Sequence, residues 1–336
     1  MNLLCCSALI MLNSASIGDQ TSEFVAKRYQ QPDGAITLYV DGDNVDPYFS
    51  SKALLAAQSH GLDIRRSAEA WIAWLMPRQL PDGRFERYCR TPEGTWRGCE
   101  AADADDALLA LWLDLLHTLS PNKGLPVQWR ESARLAEQHL AMLRDPKLGV
   151  YRVSRAQPIA LFMDNVEIYS SLASVAHHQK RFGKYTQARR TATKAANLRR
   201  AIDRVFWQST LRRYQVALNA EPEEKFYPDI VAQIYPWFAG LNTPAGNKHK
   251  EYVRWREQYA PAWLTLQQDE FPWGLVALVS LKLKDRETAF LWFERATPLR
   301  HSHRWNILEE AAYQVIGFDL CCKSGLHFDD TSQIPG

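Results

Sequence analysis

The chain has 336 residues, 46% of them apolar, with 40 Lys and Arg against 38 Asp and Glu, a net charge of +2. That length can bury a sizeable core, in one large domain or two ordinary ones. The near-balance of charge speaks against a globally basic nucleic-acid binder and against an acidic disordered chain. Twelve Trp and thirteen Tyr add much aromatic surface, most of which belongs in a core and some of which suits stacking on sugar rings.

Met1 to Leu12 is an apolar run followed by small residues, with Ser14 and Ser16 placed as at a secretory cleavage site. A signal peptide over 1–16 is therefore predicted, and with it a periplasmic or secreted location, although no Lys or Arg precedes the run. Residues 17–45 read as an N-terminal extension, 46–320 as the main domain and 321–336 as a tail. No other stretch approaches the roughly 20 apolar residues needed to span a membrane.

From residue 46 onward the pattern is helical almost throughout. Apolar segments at Tyr48–Gln58, Ala107–Leu119, Val166–Ala176, Ile230–Phe238 and Trp273–Leu283 alternate with one-sided segments at Ile64–Met76, Trp129–Leu143, Tyr185–Phe206, Lys248–Tyr259 and Glu287–Arg295. Ile307–Phe318 closes the series. Pro77 to Glu100, with its Pro81-Asp-Gly and Thr91-Pro-Glu-Gly turns, predicts a β-hairpin excursion. Cys89 and Cys99 flank that hairpin, but simple register puts Cys89 opposite Trp96, so their pairing is left open.

Eleven or twelve helices, alternately buried on all sides and on one, make a ring of helical hairpins with an inner and an outer layer. The fold class is thus all-α, a toroid of six hairpins. A solenoid would show a fixed repeat of about 34–47 residues, and the segments here are irregularly spaced.

Each inner segment opens on a polar or aromatic cluster: Asp46-Pro-Tyr-Phe, Asp103-Ala-Asp-Asp, Asp164-Asn-Val-Glu, Tyr227-Pro-Asp-Ile, Glu270-Phe-Pro-Trp and Asn306-Ile-Leu-Glu-Glu. Parallel inner helices bring these starts to one end, where free N–H groups and positive dipole ends favour carboxylates. Capping accounts for part of this. Asp46 before Pro47 reads as an N-cap, and Asp164 with Glu167 has capping-box spacing. Capping does not require Glu100, Asp103, Asp105 and Asp106 to crowd before the most buried helix. Acids so close raise one another's pKa, and glycoside hydrolysis uses such a pair, one protonated and one ionised. The candidate catalytic residues are Asp103, Asp106, Asp164 and Glu167. Trp96, Tyr227 and Trp273 are candidate stacking surfaces, and Arg84 is a candidate for sugar hydroxyls or an acidic sugar.

Leu161-Phe-Met-Asp-Asn-Val-Glu-Ile-Tyr-Ser-Ser-Leu and Phe226-Tyr-Pro-Asp-Ile-Val-Ala-Gln-Ile-Tyr-Pro, together with Asp46-Pro-Tyr-Phe and the Asp103 cluster, resemble signatures of bacterial six-hairpin glycosidase-like proteins. The resemblance spans about residues 40 to 318 and implies an (α/α)6 toroid and an envelope enzyme acting on exopolysaccharide or cell-wall glycan. It carries Asp46, Asp103, Asp106, Asp164, Glu167, Asp229 and Gln233 as site positions, without saying which two are catalytic. With Tyr48, Glu100 and Tyr169 beside them, these complete the expected substrate-binding set.

The function expected is a glycoside hydrolase using two carboxylates, with no cofactor and no metal. A uronate lyase or epimerase, using Tyr169 or Tyr48 as base and Arg84 at the sugar carboxylate, is the alternative. A non-catalytic carbohydrate-binding protein of a polysaccharide-secretion machinery is a third reading. Asp103-Ala-Asp-Asp also matches the four-residue acid motif of class II terpene cyclases, without their Gln-Trp repeats. Lys180 to Arg213 carries eleven Lys or Arg against a lone Asp203, which reads as the solvated face of an outer helix. His177-His178 and His301-Ser-His303 lack metal-site spacing, and there is no phosphate loop or nucleophile elbow.

Overall fold

A computed structural model describes residues 23–218 and 223–323; the predicted signal peptide and most of the predicted tail lie outside the described residues. Eleven α-helices occur among them. The inner set is α1 (Pro47–Ser59), α3 (Asp105–Leu119), α5 (Phe162–Arg181), α7 (Tyr235–Phe238), α9 (Gly274–Lys282) and α11 (Ile307–Lys323). Each inner helix touches the next, and α11 returns to α1, so the six close a ring. The outer set is α2 (Arg65–Leu75), α4 (Val127–Leu143), α6 (Tyr185–Phe206), α8 (Lys248–Trp263) and α10 (Arg286–Ala296). Helices α2, α4, α6 and α10 each pack on the inner helix before them, and Trp255 of α8 donates its indole N–H to the Ile230 carbonyl (3.2 Å).

The two layers follow from composition. In α3 every residue but Thr118 is buried, because neighbours cover it on all sides. By contrast α6 buries Ala188, Ala195, Leu198, Ala201, Ile202 and Phe206 along one stripe and turns its basic residues outward. Most of Lys180 to Arg213 is therefore surface, as the charge pattern predicts. No helix among the described residues is long and apolar enough to cross a membrane.

The fourth inner element departs from expectation. Instead of one helix over Ile230–Phe238, the chain makes a π turn at Phe226–Ile230 and then the four-residue α7. Pro236 has no N–H to continue a helix from the preceding residues, so the segment breaks into two pieces.

Residues 23–45 are not a separate extension in space. Phe24, Tyr29 and Ile36 are fully buried in the common core. Val25 exchanges hydrogen bonds with the Gln314 side chain of α11 (2.9 and 2.8 Å), while the Ser50 hydroxyl of α1 donates to the Ile36 carbonyl (3.0 Å). The segment straps the last inner helix to the first.

The predicted hairpin is present as β2 (Glu86–Arg90) and β3 (Trp96–Ala101), with β1 (Asn44–Val45) on the free edge of β2. Its register is not the simple one. Tyr88 faces Gly98 while Arg87 faces Glu100, so Cys99 is the extra residue of a bulge. The bulge brings the Cα atoms of Cys89 and Cys99 to 5.8 Å, and the two form a disulfide.

Candidate active site

Asp46 caps α1 as predicted: one carboxylate oxygen accepts the Tyr48 N–H (3.0 Å) and Pro47 takes the first helical position. Its other oxygen accepts from Nε of Arg87 in β2 (2.8 Å). Burial raises the Asp46 pKa even though Arg87 works against it. The same guanidinium reaches Glu100 at 3.4 Å and Asp103 at 3.8 Å, so one arginine gathers three of the predicted acids and fastens the hairpin to the ring.

One turn into α1, Tyr48 and Lys52 share a face. Lys52 Nζ lies 2.5 Å from Oε1 of Glu167 on α5, and both side chains are buried. It also donates to the hydroxyls of Tyr48 (2.8 Å) and Tyr235 (3.0 Å). The Tyr48 hydroxyl in turn donates to Glu167 (3.0 Å). Burial opposes the Lys52 charge, but Glu167 and Tyr235 more than offset it and leave the amine raised. Every polar atom of this cluster is engaged, and it closes the ring axis about one turn below the helix starts.

Above the cluster stand Asp106 and Asp164. Helix α5 begins at Phe162, so Asp164 is its third residue and not the N-cap; the capping-box expectation for Asp164 and Glu167 is thereby corrected. Asp106, in the first turn of α3, is fully buried, and Asp164 nearly so. One oxygen of each, Oδ2 in both cases, is buried without a hydrogen-bond partner. Burial lifts Asp106 to about 7, with the Glu167 charge adding to it. Burial also lifts Asp164 well above the usual carboxylate range, followed by the charges of Asp106 and Glu167. A buried oxygen lacking a donor costs far less as part of a neutral carboxyl than as a charge. At neutral pH this corner holds a proton.

The charge of Asp103 is among those felt by Asp164, yet Asp103 itself is exposed at the rim beside Arg87. Across the mouth, the Tyr227 and Trp273 rings stack at 4.9 Å, and Tyr227 is 47% exposed. Burial raises the Tyr227 hydroxyl, and the Asp164 charge is the next cause. Trp273 adopts φ 55, and the N–H of the following Gly274 donates to Oε2 of Glu309 on α11 (2.7 Å). Burial pushes Glu309 up to about 8.

Asp103, Asp106, Asp164, Glu167, Tyr48, Tyr227 and Trp273 thus come together at the starts of the inner helices. Other candidates do not join them. Arg84 is bound by Asp82 (2.8 Å), and no hydrogen bond or ion pair among the described residues ties it to the cluster. Trp96 packs edge-on against Trp74 (6.0 Å) with the Arg90 guanidinium over its ring. Gln233 exchanges hydrogen bonds with the Tyr214 backbone (2.9 Å each way), which makes it a clip between loops. Tyr169 packs against the core. Asp229 is buried in the π turn, and no hydrogen bond or ion pair among the described residues ties its carboxylate to the cluster. Glu100 sits beside Arg87 on the exposed hairpin.

Lys52, Arg87, Tyr235 and Glu309 are the participants the sequence reading did not select. Lys52 had a signal of its own, since a lone lysine in an otherwise apolar inner segment must be paired when buried.

No family model matches the sequence, and no curated protein is similar to it. Solved structures are similar in fold. A mannosylglycerate hydrolase from Thermus thermophilus superposes with a TM-score of 0.57 at 10% identity, over 87% of this chain and 98% of that one. An alpha-amylase from Clostridium perfringens gives 0.56 at 9% identity, over 88% and 94%. A reducing-end-xylose-releasing exo-oligoxylanase solved with xylobiose gives 0.56 at 13%, over 87% and 86%. The chain shares the fold of these structures, a toroid of six helical hairpins. The (α/α)6 toroid expected from the sequence is thus the architecture found, and at these identities the likeness extends to the fold alone.

Proposed function

We propose that this chain is a glycoside hydrolase whose active site is the mouth of the six-hairpin toroid, with Asp164 as general acid and Asp103 as the carboxylate base. The observation carrying this reading is the buried, partnerless Oδ2 of Asp164. Burial, Asp106 and Glu167 favour its protonated form, the form that the donor to a leaving glycosidic oxygen needs. Asp103, at the rim and open to solvent, would draw a proton from an incoming water. Glu167 is a poor nucleophile here because Lys52 and Tyr48 occupy its oxygens. The Tyr227–Trp273 step offers an apolar face for a sugar ring beside the acid.

A bacterial exopolysaccharide or cell-wall glycan as substrate, and a periplasmic or secreted location, fit a hairpin disulfide, which belongs to an oxidising compartment. The lyase reading draws less support. Tyr48 is committed to Glu167 and burial holds its hydroxyl well up, so it is not placed as a base, and Arg84 lies away from the mouth. Incubation of the purified protein with neutral and uronate-containing oligosaccharides tests the reading. New reducing ends without unsaturated uronate products support hydrolysis; unsaturated products support a lyase, and binding without products supports a lectin-like role.

A further inference from the structure

On the far side of the Lys52–Glu167 pair, the ring axis holds a cavity of about 160 Å³. It is reached from the last turn of α1 at Ser59, from Ala239 just past α7 and from Lys282 at the end of α9. The cavity therefore opens at the end of the toroid opposite the mouth. Its size exceeds the roughly 30 Å³ share of one water and falls below the roughly 300 Å³ at which drug-sized sites begin. Only a small occupant fits.

The wall specifies what kind. Ser170 and Ser171 of α5 line the cavity. Ser171 is 2% exposed, yet its hydroxyl makes no hydrogen bond among the described residues. The hydroxyl is open to the cavity and free to pair with a hydroxyl-bearing occupant. The other polar groups around it already have hydrogen-bond partners within the protein. Lys52 and Glu167 hold each other, Asp114 accepts from Ser174 (2.5 Å) and Thr118 (3.2 Å), and Lys282 donates to the Phe238 carbonyl (2.6 Å). Leu55, Leu111 and Phe238 supply apolar surface for C–H faces.

We propose that this axial cavity is a second binding site, distinct from the mouth, that takes a polyol no larger than a single sugar ring. The occupant would hydrogen-bond Ser170 and Ser171 and lie against the rear of the Lys52–Glu167 pair.

The test is equilibrium binding of radiolabelled D-glucose and of glycerol to the wild-type chain and to Asp164→Asn, Ser171→Leu and Ser170→Leu. Ser171→Leu fills the cavity from a buried position; Ser170→Leu does so from a half-buried one and serves if the first variant fails to fold. Wild type and Asp164→Asn should bind a probe equally, and the leucine variants should lose at least tenfold in affinity. Absence of binding by the wild type, binding by a folded leucine variant equal to wild type, or loss in Asp164→Asn alone would each overturn the proposal.

Discussion

Lys52 on the first inner helix and Glu167 on the third form a buried ion pair across the ring axis, 2.5 Å apart. The pair joins two non-adjacent inner helices, and its Glu167 charge helps raise Asp106 and Asp164, with Lys52 working against it at Asp164. Removing one partner leaves the other charged and buried. Lys52→Met should therefore cost on the order of 3–5 kcal/mol in urea unfolding, and a Lys52→Met/Glu167→Leu double variant should recover much of it. If the single and double variants are equally destabilised, the pair is not energetically coupled.

Asp106 links the site to stability through pH. Its pKa is about 7 in the native chain against 3.8 for an unperturbed aspartate. The folded state therefore binds a proton that the unfolded state releases. The stability associated with this group is fully present below its unfolded pKa and is lost as pH rises through about 7. Asp106→Asn removes that dependence while keeping an acceptor for the Ala107 N–H. Chemical denaturation from about pH 4 to about pH 8 should show wild type losing stability relative to the variant as pH rises. A constant difference would mean that Asp106 is not held protonated.

The same charges bear on catalysis. Glu167→Gln withdraws a negative charge near Asp164 and leaves Lys52 positive, and both changes favour ionisation of the acid. The alkaline limb of the pH–rate profile should move to lower pH in Glu167→Gln. Movement to higher pH would contradict the assignment of Asp164 as the acid.

Two glycines separate rigid from yielding surroundings. A Cβ at Gly274 would lie 2.6 Å from the Ala312 Cβ, 2.8 Å from Oε2 of Glu309 and 2.9 Å from the Trp292 ring, all in packed core. A Cβ at Gly98 meets only Glu86, closest at 2.0 Å, and that side chain ends at the hairpin surface and can swing away. Gly274→Ala should cost about 2 kcal/mol or more by overpacking, and Gly98→Ala less than about 0.5 kcal/mol, as surface changes do. Thermal unfolding of both variants distinguishes them.

How far these features were legible in the sequence depends on whether they are periodic or relational. Apolar runs such as Ala107–Leu119, interrupted by few polar residues, declare an inner helix because they have no polar face to turn to water, and the alternation with helices like Tyr185–Phe206 implies two layers. The convergence of helix starts, and with it Asp106, Asp164 and Glu167, followed from parallel packing. Other features depend on partners distant in sequence. Arg87 gathers Asp46, Glu100 and Asp103 only because a bulge at Cys99 shifts the hairpin register. Gln233, two residues before a tyrosine the site uses, spends both ends of its amide on the Tyr214 backbone. The N-terminal segment, read from sequence only as an extension, becomes a strap through its contacts with α11.

The most direct test is the turnover of an oligosaccharide hydrolysed by the wild type, measured together with its binding in Asp164→Asn. The variant should bind saccharide about as tightly as wild type while turnover falls by roughly 10²–10⁴-fold, the contribution expected of a general acid. Undiminished turnover in a folded Asp164→Asn variant would contradict the site proposed at the mouth of the toroid.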